Sequence, residues 1–98
     1  MSRFSYAMKI NCYKAQSKMA AAGERNLSSI MANLSEVADA SGKLLNNSQL
    51  TEEAELKYFR DSLLAHLNFE QSMGSLTADE MERAVKMVTD FTALDNQK

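Results

Sequence analysis

Residues 19–31, MAAAGERNLSSIM, decide how the N-terminal half of this chain folds. Three alanines favour helix up to residue 22, and beyond Gly23 the apolar residues resume at helical spacing. On one straight helix Met19, Ile30 and Val37 fall within about 20° of one another. An interior glycine costs only about 1 kcal/mol relative to alanine. The pattern therefore predicts one long helical region over about 3–45, with a break at Gly23 as the alternative.

Upstream, Phe4, Met8, Cys12, Ala15, Met19 and Ala22 form an apolar stripe roughly 80° wide. Downstream, Leu27, Ile30, Met31, Leu34, Val37, Ala38, Leu44 and Leu45 continue it, and Gly42 followed by Asn46-Asn47-Ser48-Gln49 should end the region. The stretch LTEEAELKYFRDSLLAHLNFEQSMG, 50–74, predicts a helix over about 51–73. Thr51 is its cap, Glu52, Glu53 and Glu55 suit the helix dipole, and Gly74 suits the position after its end. Its core stripe is Leu56, Phe59, Leu63 and Leu67. SLTADEMERAVKMVTDFTALD, 75–95, predicts the last helix over about 77–94. Thr77 and Glu80 form a capping-box pattern, and Leu76 and Met81 stand at staple positions. Val88 and Phe91 are its expected anchors, of the core or of an interface.

The chain has 98 residues, no proline, three glycines and 45% apolar residues. That is an all-α composition, with too much apolar content for disorder. The expectation is a single domain over 1–98, a helical hairpin or small three- to four-helix bundle with a long N-terminal helix, oligomeric. No apolar run is long enough to span a bilayer or to serve as a secretory h-region. One cysteine, Cys12, excludes an intrachain disulfide and fits a reducing, cytoplasmic location. Three Asn-x-Ser sequons, at Asn26, Asn33 and Asn46, are read as chance.

Charge is uneven. Residues 1–25 carry five basic groups and one acidic group, a net +4, whereas residues 26–98 carry six basic and twelve acidic groups, a net −6. On a continuous helix Arg3, Lys14, Lys18 and Arg25 gather within about 60° of one face. That basic stripe suits phosphates, but the acidic remainder opposes nucleic-acid binding. The same stretch has the composition of a transit peptide, yet its stripe runs in phase into the next segment, so an integral helix is preferred.

Catalytic patterns are missing. Gly42-Lys43 lacks the upstream glycine and the following Ser or Thr of a phosphate loop. His66 and Glu70 share a helical side, but nothing completes a metal set, and no calcium-loop pattern occurs. Cys12 lies in the apolar stripe, where a cysteine packs as a small hydrophobe. The expectation is therefore no catalytic, cofactor or metal residues, and no enzyme.

What stands out is surplus apolar surface. Tyr6, Ile10 and Tyr13 follow i, i+4, i+7 spacing on a face separate from the first stripe, and Tyr58, Phe69 and Met73 make a second side on the middle helix. Such faces must close internally or meet a partner. The sequence thus predicts a small protein-interaction module, an adaptor, regulator or chaperone, acting as a homodimer or as a subunit of a hetero-complex. The alternative is a component, chaperone or substrate of a specialised bacterial secretion system. Size and two-helix character are similar to the helical-hairpin substrates of type VII secretion. Those carry a Trp-x-Gly turn and this chain has no tryptophan, so no family is assigned. A nucleic-acid-binding regulator is the third reading.

Overall fold

The structure is a computed structural model that describes residues 3–97, so residues 1, 2 and 98 of the expected 1–98 domain lie outside the described residues. It is all-helical, with four α-helices and no strand among the described residues. The helices are α1 (Ser5–Ala21), α2 (Arg25–Leu44), α3 (Glu52–Ser72) and α4 (Ala78–Phe91), and a 3-10 turn follows at Leu94–Gln97.

The continuous helix over 3–45 is not formed; Gly23 breaks it. Gly23 adopts φ +77°, a left-handed conformation open to glycine at little cost. Its N–H donates to the Ala20 carbonyl at 3.1 Å, and the Glu24 N–H donates to the Met19 carbonyl at 2.9 Å. This pair of bonds is the Schellman motif, which satisfies carbonyls that a helix end otherwise leaves open. The same pair closes α3, from Gly74 to Gln71 at 3.0 Å and from Ser75 to Glu70 at 2.9 Å.

Past Gly23 the chain returns along α1. Ser28 Oγ donates to the Gln16 carbonyl at 3.1 Å, Lys9 Nζ sits 3.2 Å from Asp39 Oδ1, and Ser5 meets Gly42. Contacts at 16/28, 9/39 and 5/42 define an antiparallel hairpin. They also correct the reading of Gly42 as a terminator. Gly42 is buried inside α2, where a Cβ would overlap the Ser5 side chain. The hairpin closes at this end because residue 42 has no side chain. The left-handed residue after α2 is Asn47, with φ +67°.

α2 packs on α3, α3 packs on α4, and the 3-10 turn returns to α3. The buried cluster draws on all four helices, from Met8 and Cys12 through Leu27, Met31 and Leu34 to Phe59, Leu63, Ala84 and Val88. Both expected caps form. Thr51 Oγ1 accepts the Ala54 N–H at 3.2 Å. Thr77 Oγ1 accepts the Glu80 N–H at 3.1 Å, and the Thr77 N–H donates to Glu80 Oε1 at 3.0 Å. Glu80 also receives Asn26 Nδ2 at 3.2 Å, which ties the start of α4 to the start of α2. Phe91, expected with Val88 as an anchor of the core or of an interface, packs against the cluster. It is half-buried at the edge of the cluster, whereas Val88 is fully enclosed.

Candidate functional site

α1 turns Met8, Cys12, Ala15 and Met19 inward, so the opposite side of the helix faces outward. Tyr6 is 71% exposed and Tyr13 48% exposed, with Ile10 half-buried between them. The i, i+4, i+7 face therefore exists, and the rest of the fold leaves it open. The second expected face separates into two parts. Tyr58 is half-buried and packs on the core, while Phe69 and Met73, 56% and 67% exposed, stand near the C-terminal end of α3. Two exposed leucines that periodicity assigned no surface role, Leu44 and Leu50, flank the α2–α3 connection. Leu44 was read as core because its spacing matches the α2 stripe, and only the packing of α2 decides which side is covered.

The basic stripe does not survive the break at Gly23. Arg25 opens α2 rather than extending α1. Arg3 turns to the start of α3, where its Nε lies 2.7 Å from Glu55 and its Nη1 3.8 Å from Glu52. Glu55 is buried, so Arg3 is the partner that makes this burial tolerable. Lys14 and Lys18 remain on α1, exposed, with no carboxylate in ion-pair reach among the described residues. They border a groove of about 290 Å³ between α1 and α4, floored by Ala15, Met19, Met87 and Phe91.

Cys12 is fully buried, and desolvation pushes its thiol up to about 12. At neutral pH it is a protonated, inaccessible thiol rather than a nucleophile. His66 Nε2 lies 3.3 Å from Glu70 Oε1. That atom is buried and makes no hydrogen bond of adequate geometry, so the pair meets in distance but not in alignment. The His66 ring stands 6.2 Å from Phe69 at a 36° tilt. Among the described residues no group of three or more His, Cys, Asp or Glu side chains could hold a metal ion. None of the described helices is long and apolar enough to cross a membrane.

No protein-family model, curated protein or solved structure matches the chain.

Proposed function

We propose that the chain is a small, non-enzymatic protein-interaction module of the adaptor, regulator or chaperone kind. In this reading it acts in the cytoplasm through apolar helix faces, as a homodimer or as a subunit of a hetero-complex. The observation that carries it is the outward row Tyr6, Ile10 and Tyr13 on α1. Tyrosine suits an interface because its ring is apolar and rigid while its hydroxyl tolerates water. Each buried tyrosine adds about 150–250 Å². The row alone thus falls short of the roughly 800 Å² per partner of a standard interface. A stable complex needs neighbouring surface as well, and Phe69, Met73, Leu44 and Leu50 are the further apolar resources.

The antiparallel α1–α2 hairpin gives support to the second reading, a helical component or substrate of a specialised secretion system. Genomic neighbourhood would separate the two. The nucleic-acid reading loses support because Arg3 and Lys9 are engaged by acids of the same chain and Arg25 leaves the stripe.

Light scattering at micromolar concentration tests the homo-oligomeric form. The wild type should be a dimer or larger, and Tyr6→Ser/Tyr13→Ser should be monomeric. A compact wild-type monomer with a cooperative melt contradicts that form and leaves only the hetero-complex.

A further inference from the structure

The groove between α1 and α4 differs from the tyrosine row in kind. Its floor is apolar, from Ala15, Met19, Met87 and Phe91, while Lys14 and Lys18 stand on its border. Of the four basic groups carried by α1 and the residue pair before it, Arg3 and Lys9 are neutralised within the chain. The basic surplus of this region is thus concentrated at the groove. Lys14 and Lys18 are four residues apart on one helix, about 6 Å along its axis. A second helix laid along the groove repeats at the same rise, so carboxylates at i and i+4 would reach both ammonium groups. An apolar residue between those carboxylates would point at Phe91 and Met87. The half-burial of Phe91 fits such an occupant. A fully enclosed phenylalanine would offer it nothing, whereas this one keeps part of its ring on the groove wall.

We propose that the α1–α4 groove docks an acidic amphipathic helical segment of a partner protein. The segment would carry Leu, Met or Phe anchors flanked by Asp or Glu four residues apart, in the helix-in-groove mode. The proposal rests on the interaction-module reading and uses a surface distinct from Tyr6 and Tyr13. The partly exposed Met87 and Phe91 provide the apolar contact, and the lysines set polarity and reject basic or uncharged helices.

The test uses the full chain as bait for a display library of random 16-residue peptides. Selected peptides are then synthesised, and their binding is followed by fluorescence anisotropy and backbone NMR shifts. Peptides with paired acidic residues around large apolar anchors should be enriched. Their shifts should centre on Lys14, Lys18, Met87 and Phe91. Lys14→Glu/Lys18→Glu should weaken binding about tenfold or more, since two surface ion pairs become repulsions, and affinity should fall with salt. The variant should keep the wild-type circular dichroism, because neither lysine has an ion-pair partner to lose among the described residues.

Enrichment of basic or uncharged peptides overturns the proposal, as does indifference to the double variant or failure to enrich any sequence. Shifts at these residues that grow with the concentration of the protein alone would make a second copy the occupant and overturn it too. So would tighter binding of a DNA duplex or of laurate, each tried in parallel. Peptides that depend on Tyr6 and Tyr13 instead would remove the groove and leave the interaction-module reading standing. A monomer that enriches nothing would remove the groove and the homo-oligomeric form together.

Discussion

α1 and α4 reach the same core by opposite means. α4 is specified locally, with a capping box at Thr77 and Glu80 and two carboxylates in its first turn, yet it buries only Ala84 and Val88 fully. α1 begins without a side-chain cap and has no acidic residue in its first turn, yet it buries Met8, Cys12, Ala15 and Met19. α4 is specified at its start, and α1 is held by its buried side. Caps contribute about 1 kcal/mol each, whereas a buried Leu or Met contributes about 2–5 kcal/mol on truncation. Packing should therefore dominate the stability of the hairpin, while local chemistry matters relatively more for α4.

The largest expected effect is in the hairpin. Leu34→Ala, at a fully buried position on α2, should cost about 2–5 kcal/mol and unfold much of the population of so small a chain. Phe91→Ala should cost less, about 1–2 kcal/mol, because its ring is already partly exposed along the groove. Urea unfolding of both variants at equal protein concentration measures the difference. Equal losses would show that α4 is docked as deeply as α2, and the comparison would fail.

The chemistry of the α4 start gives a smaller effect. Thr77→Ala should cost about 1 kcal/mol. Glu80 should also leave a signature in pH. The Thr77 N–H, and after it Asn26, hold its carboxyl below the usual glutamate value of 4.5. A carboxyl with a lowered folded pKa binds fewer protons when folded than when unfolded. Its contribution is complete above about 4.5 and is lost as pH falls through the folded value. Acid unfolding of Glu80→Gln should be flatter than wild type in that window. Parallel curves would mean that the Asn26 and Thr77 bonds do not persist in solution.

This contrast also explains what the sequence made legible. The helix class, both threonine caps and most of the inward stripes follow from short-range pattern: Thr51 and Thr77 cap as their chemistry predicts, and Met8 and Leu63 are buried where periodicity predicts, whereas Ala22 and Leu44 are exposed. The break at Gly23 was not decidable in that way. The stripes before and after it share a phase, and the Schellman bonds that end α1 become worthwhile only when α2 folds back and buries both stripes. Gly42 was misread for a related reason, since its role is set by Ser5, thirty-seven positions away in sequence. Of the candidate surfaces, the tyrosine row was visible because it lies on one helix. The α1–α4 groove was not, because Lys14, Lys18, Met87 and Phe91 become neighbours only through tertiary packing.

The hairpin, and with it the α1–α4 groove, depends on the chain reversing at Gly23. Nitroxide labels at Tyr6→Cys and Lys43→Cys, in a Cys12→Ser background diluted with unlabelled protein, test that reversal by pulsed electron spin distance measurement. Ser5 meets Gly42 in the hairpin, so the labels should lie close together, within about 20 Å once their linkers are allowed for. A continuous helix would separate the two positions by about 55 Å. A dominant distance near that value would contradict the hairpin and the groove built upon it.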